Sequence, residues 1–381
     1  MSRRAFVVVL DACGVGALPD AAEYGDAGTN TLGHVAEAVG GLSLPTLERL
    51  GLGSIVPLRG VAPSPAPVVH GRLHALGPGK DSTAGHWELM GVVASEPAPT
   101  YLDGFPPEIV ERVRAAAGRD TIGHLPSEGL AALDRWGADH LGGGGLIVYT
   151  SVDSVLQIAG HEDVLAVDDL YAACARVRKV TDVGRVIARP FTGRPGAFER
   201  LPARRDFALA PPGRSYVEAI GAARLPVHAV GKVGQLFAGV GVDHEHAAHD
   251  NATAIAATSA LLADLEAGLV FTNLVETDTV FGHRKDAAGF VAALERIDAA
   301  VADWLEGLGE GDLLVLTADH GCDITHARSD HTREHAPLLA AYAGSDGHRH
   351  DGPLADVGAF ALRWLAGADD PDLPGSSFVD A

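Results

Sequence analysis

The sequence predicts an α/β protein: a central, mostly parallel sheet flanked by helices, with a smaller α/β domain inserted into it. Three observations lead there. Short runs of Val, Ile and Leu recur without alternating polar residues, as in strands covered on both faces. Amphipathic helical patterns lie between these runs, which is the order of α/β layers. From about residue 97 to residue 212 the chain carries Pro97-Ala-Pro99, Phe105-Pro-Pro107, four glycines at 142–145 and Arg189-Pro-Phe-Thr-Gly-Arg-Pro-Gly196. Such punctuation fits turns of a separately built insert. The expected division is a discontinuous core, 1–96 with 213–381, and an inserted cap, 97–212.

In chain order, strands are expected at 5–10, 146–149, 185–188, 227–230, 269–275, 313–317 and 338–342. Helices are expected at 108–117, 168–179, 252–267, 287–308 and 356–366, and the Pro-rich stretch 57–69 reads as a loop. Ser2-Arg3-Arg4-Ala5-Phe6 has the look of a twin-arginine export signal. Its apolar run stops at Asp11, short of the ~7–15 residues such a signal needs, so it reads as the first strand. No apolar run approaches the ~20 residues of a membrane span.

The chain has 381 residues, 47% hydrophobic and 21% charged, which is a globular composition. A net charge of −21 argues against a nucleic-acid partner, which needs a basic face. It does not exclude a phosphorylated substrate, because bound metal ions can supply local positive charge. Cys13, Cys174 and Cys322 are odd in number and far apart, which fits a reducing compartment such as the cytoplasm better than a disulfide framework.

Three segments share one design. The run ending at Leu10 meets Asp11, the run ending at Val275 meets Glu276-Thr-Asp278, and the run ending at Thr317 meets Ala318-Asp319-His320-Gly321. Open α/β sheets bind ligands outside the carboxyl ends of their strands, so three such acids can converge on one cleft. His283, His320 and His331 lie close to these acids in sequence. Carboxylate and imidazole together suit Mn, Zn or Fe, and six ligands suffice for two ions with open positions for a phosphate. His244, His246 and His249 have spacing that suits a metal but read as a polar loop, as do His348 and His350.

In Gly77-Pro-Gly-Lys-Asp-Ser-Thr-Ala-Gly-His-Trp-Glu88, Ser82 precedes a helix start, where free N–H groups favour a phosphoryl group. The plainer reading makes Ser82 or Thr83 the helix N-cap.

Together these segments resemble the prokaryotic-type phosphopentomutases of the alkaline phosphatase superfamily. The resemblance runs through Leu10-Asp11 with Gly14-Val-Gly16, Gly28-Thr-Asn-Thr-Leu-Gly-His34, Gly79-Lys-Asp-Ser-Thr-Ala-Gly-His-Trp-Glu88 and Tyr149-Thr-Ser-Val-Asp-Ser-Val-Leu-Gln157. It continues through Val183-Gly-Arg-Val-Ile-Ala-Arg-Pro-Phe191, Phe281-Gly-His-Arg284, Thr317-Ala-Asp-His-Gly321 and Asp330-His-Thr-Arg-Glu334, in family order. It implies an alkaline-phosphatase-like core. It further implies that Asp11, Asp319 and His320 hold one divalent metal ion, and Asp278, His283 and His331 a second, usually manganese (Mn2+). Ser82 takes the place of the phosphorylated nucleophile, where the family usually has threonine; Thr83 is a minor alternative. Ser151, Asp153 and Val155 would contact a phosphorylated pentose, and Arg185, Ile187 and Lys232 its distal phosphate or the pocket wall. The reaction implied is exchange of ribose or deoxyribose 1-phosphate and 5-phosphate, with a sugar bisphosphate as activator. A metal-dependent phosphatase or phosphoglycerate mutase on the same core is the alternative. The resemblance implies neither nucleic acid nor membrane as a partner and leaves the oligomeric state open.

Overall fold

The computed structural model describes residues 2–151 and 154–378. Fourteen strands lie among them: β1 (Arg4–Leu10), β2 (Val69–His74), β3 (Thr121–Pro126), β4 (Leu146–Thr150), β5 (Val155–His161), β6 (Arg185–Arg194), β7 (Ala197–Arg200), β8 (Arg205–Ala208), β9 (Val227–Val230), β10 (His244–His246), β11 (Gly268–Leu274), β12 (Asp312–Thr317), β13 (Ala336–Tyr342) and β14 (Gly352–Pro353). The chain divides into two compact units, Met1–Glu96 with Pro211–Ala381, and Pro97–Ala210.

The first unit is built on an eight-stranded sheet in the order β10-β9-β11-β1-β12-β13-β2-β14. The five strands from β10 to β12 are parallel, while β13 runs antiparallel to both its neighbours. β1 is central because Phe6-Val-Val-Val-Leu10 is buried on both faces and its branched side chains fit the pleat. The helix Ala287–Gly307 packs Phe290, Leu294, Ile297, Val301 and Trp304 inward at helical spacing, and Asp286 caps its start by accepting from Gly289 N–H. From the same helix the buried Asp298 accepts the N–H groups of Thr46 and Leu47, the first turn of the helix Pro45–Leu50.

The second unit holds a six-stranded sheet, β3-β4-β5-β6-β7, with β8 on β6. One side packs against the helices Pro107–Ala117 and Val167–Arg178 through Ile109, Val113, Leu170 and Val177. A second core gathers Leu133 and Trp136 of the helix Gly129–Gly143 with Phe191 and Phe198.

Several expectations need correction. The helix expected to reach residue 267 is Asn251–Asp264, since Leu265 turns to extended backbone. The segment with His244 and His246 is a strand, not a loop, because edge pairing with β9 satisfies its backbone. β2, β3, β5, β7, β8 and β14 also had no expected counterpart. No helix among the described residues is long and apolar enough to cross a membrane.

Candidate metal centre

Register creates the site. β1 pairs with β11 up to Leu10↔Leu274 and with β12 up to Val9↔Thr317, so three strands end level. Asp11, Asp278 and Asp319 leave the sheet within a few residues of those ends, and all three are buried. Ala12 turns the chain at a φ of 62°, a left-handed conformation that costs a non-glycine residue ~1–2 kcal/mol. In that conformation its N–H donates to Asp319 Oδ1 at 3.1 Å. Asp278 sits on a π-helical turn, Thr277–Gly282, a geometry often found at functional sites.

The histidines close the cluster. His320 Nε2 lies 3.6 Å from Asp11 Oδ1 and 3.4 Å from Asp319 Oδ2. His283 Nε2 and His331 Nε2 lie 3.3 and 3.4 Å from the same oxygen, Asp278 Oδ1. His320 Nδ1 donates to the Gly321 carbonyl and His283 Nδ1 to the Ser329 carbonyl, each at 3.0 Å. Both rings thereby aim Nε2 at the carboxylates, the tautomer a metal ligand needs. Three sets of ligand atoms lie within 4.8 Å of one another: Asp11 with Asp319 and His320, Asp278 with His320 and His331, and Asp278 with His283 and Cys322. The six expected residues thus form one continuous cluster, in which His320 and Asp278 each belong to two of these sets.

The electrostatics suit a cation. Burial pushes the Asp11 carboxyl well above the usual range, and Asp319 and Asp278 add to that. Burial also works against ionised Asp278, but His331, His320 and His283 outweigh it and hold the group at about 2. Burial disfavours charge on His320, yet Asp319, Asp11 and Asp278 raise its ring to about 9. Asp11 Oδ1, Asp278 Oδ1, Asp319 Oδ2 and His331 Nε2 are buried without a hydrogen-bond partner. Buried carboxylate oxygens are rarely left so, and this donor set fits divalent metal ions.

Ser82 opens the helix Ser82–Leu89, and its Oγ lies 3.1 Å from His320 Nε2. The cap is Asp81, neither Ser82 nor Thr83: Asp81 Oδ1 accepts from the N–H groups of Thr83 and Ala84. This frees the Ser82 hydroxyl and also corrects the expected role of the helix end, since those two amides are already taken. Lys80 pairs with Asp26 at 3.0 Å and Arg333 donates to the Gly79 carbonyl at 2.7 Å, fixing the approach to Ser82.

Sequence reasoning missed several residues here. His86 is fully buried, with Nδ1 2.8 Å from the Ser82 carbonyl oxygen and 3.1 Å from Asp319 Oδ2. Its position four residues after Ser82 on a helix was the available signal. Asn273 donates to Asp11 Oδ2 at 3.0 Å and stood out only as a polar residue in an apolar run. Cys322 Sγ lies 4.0 Å from His283 Nδ1. Glu334 is buried and accepts from Thr31 N–H and hydroxyl, Thr332 hydroxyl and Gly16 N–H, tying the loops that carry Asp11 and His331.

The remaining expected residues divide between the two units. Ser151 follows β4, and Val155 and Arg185 are cross-strand partners on β5 and β6. Val155 and Ile187 are buried in the second unit, which suits core packing; Arg185 is paired with Asp206 at 3.6 Å. Asp153 lies outside the described residues. Lys232 belongs to the first unit, where its charge favours ionised Asp11.

A family model described as the metalloenzyme superfamily matches residues 3–366, so the chain belongs to that superfamily and has its alkaline-phosphatase-like core. The solved phosphoglycerate mutase of Leishmania mexicana shares this fold, with a TM-score of 0.53 at 14% identity, over 99% of this chain and 97% of that one. The chain is 46% identical to the phosphopentomutase of Anaeromyxobacter sp. (strain K) over 387 residues, 100% of this chain and 99% of that protein. It is 49% identical to the phosphopentomutase of Syntrophotalea carbinolica over 342 residues, 88% of this chain and 87% of that protein. The chain belongs to the phosphopentomutase family, a family of isomerases.

Proposed function

We propose that this chain interconverts the 1-phosphate and 5-phosphate of ribose or deoxyribose, through a phosphoserine at Ser82 and a bisphosphate intermediate. The observation that carries the proposal is the Ser82 hydroxyl, 3.1 Å from His320 and next to the cluster of unpartnered carboxylate oxygens. Asp11, Asp319 and His320 would hold one divalent ion, and Asp278, His283 and His331 the other; manganese is the expected metal. Such ions neutralise the transferring phosphoryl group and hold reacting oxygens in line. Ser82 Oγ is the group that carries the phosphoryl. The C1 hydroxyl of ribose 5-phosphate attacks it, the Oγ–P bond breaks, and ribose 1,5-bisphosphate forms. The 5-phosphate then returns to Ser82, releasing ribose 1-phosphate. Asp81, Lys80, Arg333 and His86 keep Ser82 in place throughout. Ser151, Asp153, Val155, Arg185, Ile187 and Lys232 are proposed as contacts to the sugar, its distal phosphate or the pocket wall; Arg and Lys are the residues that such a phosphate needs. A sugar bisphosphate would prime the dephosphorylated enzyme. Three buried thiols, none in a disulfide, support a cytoplasmic location.

Coupled turnover of ribose 5-phosphate with Mn2+ and a sugar bisphosphate, beside 3-phosphoglycerate, tests the substrate. Intact mass should show one phosphoryl group on the wild type and none on Ser82→Ala, whose turnover should be lost. Full mutase activity in Ser82→Ala would overturn the scheme, and turnover of 3-phosphoglycerate alone would favour the phosphoglycerate mutase reading.

A further inference from the structure

At one edge of the core sheet, β9 and β10 carry three imidazoles that the proposed reaction leaves unused. His228 is the direct cross-strand partner of His244, and Val230 that of His246. Residues two apart on a strand share a face, so His244 and His246 project together. Glu245 projects to the other face: a Cβ added to Gly234 would meet its carboxyl carbon at 2.7 Å. His228 Nδ1 and His246 Nε2 are 2.9 Å apart, and their rings stack with centroids at 5.2 Å and planes at 19°. The His244 ring centroid is 4.5 Å from that of His228.

We propose that His228 and His246, joined by His244, form a binding site for one borderline divalent transition ion of the Zn2+ class, distinct from the centre around Ser82. The nitrogen spacing of the first pair fits a chelate. Metal–imidazole bonds are ~2.0–2.1 Å, so two nitrogens on one ion at ~90–110° stand ~2.9–3.4 Å apart. The observed separation of 2.9 Å lies in that range, and an ion can replace the proton the two rings share. His244 is exposed, with its ring beside that of His228 on the same face, and is the candidate third ligand.

The donor set selects the ion. Burial, then the neighbouring imidazoles, hold His228 and His246 below their ordinary titration range, so both rings are neutral, the form that coordinates. Asp243, directly before His244, accepts the Val227 N–H at 2.9 Å, and Glu245 projects to the other face. By contrast, His348 and His350 are bonded to Asp346 and Asp356. A site of imidazoles alone suits Zn2+, Cu2+ or Ni2+ rather than Mg2+ or Mn2+. An ion there would fasten the three-residue β10 to β9.

The test is Zn2+ binding to the full chain saturated with Mn2+, comparing wild type with His228→Asn, His246→Gln and His244→Ala. Any Zn2+ that enters the Ser82 centre does so equally in all four proteins and cancels. Wild type should bind one Zn2+ more per chain than His228→Asn or His246→Gln, while His244→Ala should bind it weaker by a factor on the order of ten or more. Turnover and circular dichroism of the variants, unchanged from wild type, confirm that they are folded. With Cu2+ as probe, electron paramagnetic resonance should show nitrogen coupling that His246→Gln loses. Equal Zn2+ stoichiometry and affinity in wild type, His228→Asn and His246→Gln would overturn the proposal, as would a wild-type Cu2+ signal identical to that of His246→Gln.

Discussion

At the scale of single residues, His86 joins Ser82 to the cluster of acids. It reaches both the Ser82 carbonyl and Asp319 from inside the protein. Groups that hold a ligand from behind typically contribute 10–100-fold to metal affinity or activity. His86→Ala is therefore expected to weaken Mn2+ binding and lower kcat by ~10–100-fold while the protein stays folded. A Mn2+ titration followed by electron paramagnetic resonance checks this, and unchanged affinity would remove His86 from that role. Gly85 beside it cannot be replaced: a Cβ there would meet the Asp319 carbonyl oxygen at 2.4 Å.

At the scale of elements, two acids act as caps across distance, and each carries a prediction. Asp298→Ala leaves the Thr46 and Leu47 amides without their partner. It should cost ~1–3 kcal/mol in urea unfolding without changing turnover per folded molecule. Asp323 accepts from Asn30 N–H at 2.8 Å and from the Thr325 N–H and hydroxyl, and meets His34. Burial opposes its ionisation, but these bonds outweigh burial and hold its carboxyl below the usual range. The folded value is depressed, so Asp323 contributes stability above its unfolded value of ~3.9, and that stability is lost as pH falls through the folded value. Asp323→Asn should lower the urea midpoint at neutral pH, and the gap from wild type should narrow below about pH 4. A gap constant with pH would contradict this. The same scale decides what the sequence disclosed. β1, β11 and β12 were legible because doubly covered strands read as unbroken apolar runs. β2, Val-His-Gly-Arg-Leu-His, was not, because Gly71 is demanded by the close approach of the His350 carbonyl rather than by any strand preference. His86 and Asn273 were hidden for a related reason: their partners are 233 and 262 residues away in sequence (319−86 and 273−11), and no local pattern records such a pairing.

At the scale of the whole molecule, the cluster draws on the ends of β1, β11 and β12 and on the loop through His331, so a bound ion would join segments from residue 11 to residue 331. Binding to the native state alone stabilises it, by ~2.7 kcal/mol at a hundredfold excess over Kd. Removing divalent ions with a chelator should lower Tm by several degrees and abolish turnover, and Mn2+ should restore both. A Tm indifferent to chelator would argue against the ligand set. The central place of β1 has one more consequence, for synthesis on the ribosome. Its two neighbours, β11 and β12, begin at Gly268 and Asp312, so both are made long after it. At ~5–20 residues per second, the run Phe6-Val-Val-Val-Leu10 waits on the order of 10–50 s for its first partner strand. During that interval the nascent chain displays its most apolar strand unpaired, which makes β1 the segment of the core that chaperones have most reason to shield.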